Sequence, residues 1–132
     1  MSQEDIGLAR QYVETFNAHG VAGARHLRHP EIELYDPPDF PDAGRYVGDA
    51  ALQERVESYI AIGWDGQFRS PEYIDAGEEV AVIFRAIGRG TIGDVPLDTA
   101  FGHLYLFETG LLRRVRQYLS REATLAAAGL RE

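Results

Sequence analysis

The chain has 132 residues, a size that fits a single domain over 1–132 built on one hydrophobic core. It has no cysteine, and all 13 of its Lys+Arg cations are arginines, which excludes disulfides, thiolate chemistry, cysteine-based zinc sites, lysine Schiff bases and Walker-type phosphate loops. A net charge of −8, with no apolar run of about 18 residues, argues against nucleic acid or a membrane as partner; the polar, acidic start from Met1 to Asp5 is unlike a targeting segment, so a cytoplasmic protein is expected.

Ser2 can cap a first helix, with Asp5 three residues on, and Ile6, Ala9, Val13 and Phe16 then recur at spacings of 3, 4 and 3 along one apolar face. Leu8 and Tyr12 form an adjacent row. The helix is expected to reach about His19 and stop at Gly20. A short helix over 21–27 ends before Pro30. In the strand over 31–36, the period of two puts Ile32, Leu34 and Asp36 on one face and Glu31, Glu33 and Tyr35 on the other, so Asp36 continues an apolar face. The loop over 36–44 has the Pro, Asp and Gly content of a rigid turn.

A third helix over about 49–62 carries Leu52, Val56, Tyr59 and Ile60 on one stripe and stops at Gly63. Four strands follow, over about 67–74, 80–88, 96–107 and 111–119, with turn signals at 75–78, 90–94 and 108–110. Ser120 caps a last helix that ends at Gly129. This order packs most economically as an α+β domain of two layers, a curved antiparallel sheet with helices on one side.

In the strand over 96–107, Leu97, Thr99, Phe101, His103, Tyr105 and Phe107 share one face, and Asp98, Ala100, Gly102, Leu104 and Leu106 the other. Small residues leave room before a sheet, so the Gly102 and Leu104 face is expected to line a cavity, with the aromatic face packed outside against a second subunit. Alternation alone leaves the reverse, with His103 and Tyr105 inward, open. In the last strand Arg113, Val115, Gln117 and Leu119 share a face, on which Gln117 is a polar handle among apolar neighbours. The basic run Arg113-Arg114-Val115-Arg116 splits between two faces and makes no nucleic-acid patch.

Residues 88–93 match G-x-G-x-x-G, but that fingerprint works between a strand and a helix, whereas another strand follows here. A glycine-rich hairpin is the reading, and no dinucleotide is expected. His19, His26 and His29 with Asp36 match no ligand spacing, and His19 and His29 fall at helix ends, where positive charge is favourable. No metal and no other cofactor is expected. The four serines lack a G-x-S-x-G elbow, and Asp39 and Asp42 are simplest as turn formers. Asp36 stands apart, because a carboxylate on an apolar face loses hydration and becomes a stronger base, although a turn aspartate before Pro37 is an equal reading of the same residue.

Residues 10–18 (Arg-Gln-Tyr-Val-Glu-Thr-Phe-Asn-Ala), then Tyr35-Asp36-Pro37, then Gly110 opening the last strand, resemble the nuclear transport factor 2-like superfamily, and within it the SnoaL-like polyketide cyclases and ketosteroid isomerases. The resemblance implies a cystatin-like roll: a cone of curved sheet around the N-terminal helices, a deep apolar pocket and often a homodimer across the outer sheet face. It implies Tyr12 as the helix tyrosine that donates to an oxyanion and Asp36 as the general base. Two positions depart from the family pattern. The third isomerase group, a protonated aspartic acid, corresponds to Gly102, and the cyclases' catalytic aspartate corresponds to Gln117.

The sequence therefore points to a cofactor-independent proton-transfer enzyme for a small hydrophobic carbonyl, polyketide-like or steroid-like compound. Asp36, Tyr12 and Gln117 are its candidate catalytic residues. Leu8, Phe16, Tyr59, Trp64, Phe84, Gly102, Leu104, Val115 and Leu119, with His103, are candidates to meet the ligand. The alternative is a non-catalytic module that binds a small molecule in the same pocket or pairs through the sheet.

Overall fold

A computed structural model describes residues 2–92 and 95–130, the side chain of Ser2 excepted, so the expected Ser2 cap lies outside the described side chains. Helix α1 (Ser2–Gly23) runs as two helices that meet at Gly20, whose non-helical backbone (φ 79°, ψ 179°) ends the first at its expected stop; beyond it the amide of Ala24 donates to the Gly20 carbonyl at 3.2 Å. The short helix expected over 21–27 follows it as a helical turn to Gly23 and a 3₁₀ turn over Arg25–Leu27. Strand β1 (Arg28–Tyr35) begins before Pro30, which lies in an interruption of its pairing between Arg28 and Glu33, where a missing amide costs nothing.

Three-residue β2 (Arg45–Val47) pairs with the end of β1 across the 36–44 loop. Helix α2 (Asp49–Ala61) follows, then β3 (Arg69–Ala76), β4 (Glu79–Ala86), the short pair β5 (Thr91–Ile92) and β6 (Val95–Pro96), β7 (Thr99–Glu108), β8 (Leu111–Tyr118) and α3 (Arg121–Ala127). Ser120 caps α3 as expected, its side chain accepting from the Ala123 amide. The glycine-rich hairpin is present as β5 and β6; Gly93 and Asp94 at its tip lie outside the described residues. Gly88 and Gly63 let two loops touch through their backbones, since a Cβ on Gly63 would lie 1.7 Å from the Arg89 carbonyl oxygen.

The six main strands are ordered β2-β1-β8-β7-β4-β3. The sheet is mixed, not wholly antiparallel as expected, because β8 inserts beside β1 and runs parallel to it. Helices α1 and α2 cover the inner face, and α3 lies on the outer face over β7 with β4 and β8 beside it. Among the described residues no helix is long and apolar enough to cross a membrane.

Two strand faces differ from expectation. On β7 the aromatic side faces inward, with Phe101 and Tyr105 in the main core and Phe107 packed against it, and Gly102 and Leu104 face outward. Their smallness serves helix packing: a Cβ at Gly102 would lie 1.9 Å from Thr124 Oγ1 of α3. On β8, Leu106 pairs with Arg114 but Phe107 pairs with Leu112, so Arg113 is an extra, bulged residue. The bulge turns Leu112 inward to the face of Val115 and Gln117, away from Arg114 and Arg116.

Candidate active site

The inner sheet face, α1 and α2 surround a cavity of about 60 Å³, several times the ~10–15 Å³ that one water needs. Tyr12, Phe16, Tyr59, Trp64, Phe84, His103, Val115, Gln117 and Leu119 line it, joined by Phe68, Phe101, Tyr105 and Ile92. Three expected residues do not. Leu8 is one helical turn short of the cavity, which ends at Tyr12, while Gly102 and Leu104 point to the opposite face beneath α3. Asp36 does not line it either: its side chain is 1% exposed, borders a separate depression with Tyr35, Gly44 and Gln117, and accepts from the hydroxyl of Tyr59, which does line the cavity.

Asp36 follows the end of β1 and terminates its inward row of Ile32 and Leu34. Its Oδ1 accepts from Arg55 Nε at 3.0 Å and from the Tyr59 hydroxyl at 3.2 Å. Its Oδ2 accepts from the Gly44 amide and the Tyr46 hydroxyl, both at 3.0 Å. A carboxylate has about four acceptor sites, so this one is saturated. Gln117 Nε2 donates to the Tyr59 oxygen and to the Tyr35 carbonyl, each at 3.2 Å. Burial pushes the Tyr59 hydroxyl well above the usual phenol range, with Arg55 opposing, so Tyr59 keeps its proton.

Asp36, Gln117 and His103 stand at one level across β1, β8 and β7, because Tyr35 pairs with Arg116 and Gln117 with His103. The His103 ring meets Phe84 and Phe68 at centroid distances of 4.9 and 5.7 Å, and its Nδ1 is 3.3 Å from the Tyr105 hydroxyl. Burial holds its pKa down to about 3, so the ring is a neutral donor and acceptor at pH 7.

Tyr12 belongs to a different network. Its oxygen accepts from Arg28 Nη1 at 3.0 Å, and Arg28 also donates from Nε to Asp49 Oδ1 at 2.5 Å and from Nη2 to the Val21 carbonyl at 2.7 Å. Asp49 Oδ2 accepts from Gln53 at 2.6 Å. Burial raises the pKa of the Tyr12 hydroxyl, and the charge and hydrogen bond of Arg28 pull the other way. Burial alone would raise Asp49 as well, but Arg28 and Gln53 outweigh it and hold the carboxyl below its usual range.

The profile of the SnoaL-like domain family matches residues 9–115. The chain belongs to that family. Among solved structures, this SnoaL-like domain is similar to a nuclear transport factor 2-like protein from Burkholderia xenovorans, at TM-score 0.69 and 21% identity over 97% of each chain. A proposed polyketide cyclase from Xanthomonas campestris matches at TM-score 0.68 and 18% identity, covering 96% of this chain and 98% of that one. A proposed ketosteroid isomerase from Kribbella flavida matches at 0.67 and 21%, covering 89% and 78%. At these identities the likeness establishes the fold, a nuclear transport factor 2-like, cystatin-like roll. No curated protein matches the sequence.

Of the residues that the family resemblance marks, the SnoaL-like domain joins Asp36 to Gln117 through Tyr59 and keeps Tyr12 on a separate, arginine-backed network. Arg28, Tyr46, Asp49 and Arg55 complete these networks and are absent from the sequence reading. Arg55 carries a usable signal, since it lies three residues after Leu52 and four before Tyr59, on the apolar stripe of its helix. Among the described residues no three His, Asp or Glu side chains gather closely enough to hold a metal ion.

Proposed function

We propose that this SnoaL-like domain catalyses cofactor-independent proton transfer on a small, neutral, hydrophobic carbonyl compound held in the cavity. The reaction type is isomerisation, cyclisation or dehydration of a polyketide-like or steroid-like compound, in keeping with the polyketide cyclase and ketosteroid isomerase proposed for two proteins of the same fold. The observation that carries the reading is the double position of Tyr59, which lines the cavity and donates to Asp36. One acceptor site of its oxygen is taken by Gln117, and the other is free for a proton from the ligand.

In the proposed step the bond between hydrogen and the carbon α to the carbonyl breaks. Its proton goes to the Tyr59 oxygen as Tyr59 passes its own proton to Asp36 Oδ1. The electron pair moves into the enolate, whose oxygen accepts from the Tyr12 hydroxyl. Return of the proton to a different carbon gives isomerisation, and expulsion of a β-hydroxyl gives dehydration. The lining, with Phe16, Phe68, Phe84, Phe101 and Val115, suits a hydrophobic ligand oriented by a few polar groups. The test is deuterium uptake at the α carbon of small cyclic ketones and enones in D₂O, followed by NMR. Asp36→Asn is expected to lower the exchange rate by about 10²-fold or more, and unchanged exchange overturns the reading.

The saturated shell of Asp36 favours a second reading, a non-catalytic module that binds a small hydrophobic molecule. Tight binding without exchange, and affinity indifferent to Asp36→Asn, would support it. For assembly, we propose a homodimer across the outer face of the sheet, on the strength of the family resemblance.

A further inference from the structure

Arg28 has no side-chain exposure. Burying a cation costs several kcal/mol unless it is paired, and Asp49 supplies the pair. Together with the bond to the Val21 carbonyl, that pairing ties β1 to both helices and accounts for two of its three contacts. The third gives the buried Nη1 an acceptor, which any polar oxygen at that place could supply. A phenol oxygen is a weak acceptor for that purpose, and its use here has a second effect.

The consequence of the third contact is chemical. Because Arg28 Nη1 donates to the Tyr12 oxygen, the Tyr12 proton must point elsewhere, and the cavity borders the same side chain. The cation also lies 3.0 Å from the atom that gains negative charge as Tyr12 donates to an anion. Arg28 itself does not line the cavity, so it acts only through Tyr12.

We propose that Arg28 is a positioning residue that aims the Tyr12 hydroxyl into the cavity and strengthens it as a donor, so that the site prefers an enolate or phenolate oxygen over a neutral one. This rests on the reading of Tyr12 as the group that meets the oxyanion. Asp49 and Gln53 hold the guanidinium in place, so the preference belongs to a chain of groups running from the first turn of α2 through β1 to α1.

The probe is 4-nitrophenol, a single ring whose ionised form has its own absorbance. The wild-type protein is expected to bind it as the phenolate at a pH below the free phenol's own ionisation. Arg28→Met leaves Asp49 with only the exposed Arg25 and Gln53 and is expected to destabilise the fold, so the informative variant is Arg28→Met with Asp49→Leu, which removes both members of the buried pair. That double variant is expected to bind about 10- to 100-fold more weakly, with the bound ring neutral. Arg28→Lys is expected to recover part of the phenolate signal, a rescue that a purely structural tie would not produce in the spectrum. If Tyr12→Phe abolishes the phenolate signal while the double variant and Arg28→Lys both keep it at full strength, the inference about Arg28 fails and the oxyanion role of Tyr12 stands. If the wild type binds only the neutral phenol, or none, and Tyr12→Phe changes nothing, both fail.

Discussion

His103 is a neutral imidazole set against Phe68 and Phe84, and that makes it a source of acid sensitivity. The unfolded chain binds a proton at this residue near the ordinary value of 6.5, the folded chain only near 3. Between those values the unfolded state holds more protons, so the contribution to stability is complete above about pH 6.5 and is lost as pH falls toward 3. His103→Phe is expected to flatten the loss of stability across that window, an effect on the order of a few kcal/mol, in urea melts from pH 7 to pH 3.5. An unaltered slope would mean that His103 takes up its proton in the folded protein. At this scale the sequence is legible only in part. The inward place of Asp36 follows from the period of two in β1, but its four donors come from Gly44, Tyr46, Arg55 and Tyr59, and no local spacing says where α2 will lay its face. Inferred from burial alone, a dehydrated base is a different object from the saturated carboxylate that those partners create.

At the scale of elements, the joint between β7 and α3 depends on an absent side chain. Gly102→Ala would place a methyl 1.9 Å from Thr124 Oγ1 and 2.7 Å from its Cβ, so α3 must shift. A loss of roughly 2–4 kcal/mol is expected in chemical denaturation, and Thr124→Gly in the same chain is expected to return part of it. Additive losses would show that the two sites do not meet. Helix α2, the meander of β3, β4, β7 and β8, and the capped α3 are legible in the sequence, because local period and turn chemistry specify each. Three features are not. The parallel pairing of β8 with β1 joins residues about eighty apart, the bulge at Arg113 inverts Leu112 without any glycine to announce it, and α3 claims the face of β7 that smallness alone assigns to the cavity.

For the whole molecule, turning the aromatic face of β7 inward changes what the outer surface offers a second subunit. That surface carries ion pairs: Glu79 with Arg114 and Arg116, and Glu33 with Arg45 and Arg113. The Tyr35 hydroxyl and Arg45 help hold the Glu33 carboxyl down to about 2. Each of these pairs is closed within its own chain, and each subunit carries a net charge of −8, so the proposed dimer should tighten as salt screens the repulsion between its copies; light scattering is expected to report more dimer near ~1 M salt than at low ionic strength. Dissociation at high salt would instead mean that ion pairs form between the subunits. The central claim for the molecule, however, concerns the interior, where Asp36 reaches the cavity through Tyr59. Its most direct test is a double-mutant cycle on α-carbon deuterium exchange with Asp36→Asn, Tyr59→Phe and the pair. The account predicts that Asp36→Asn slows exchange by about 10²-fold or more, Tyr59→Phe by about tenfold or more, and that the pair is little slower than the worse single. Exchange that survives Tyr59→Phe, or losses that multiply in the double variant, would contradict it.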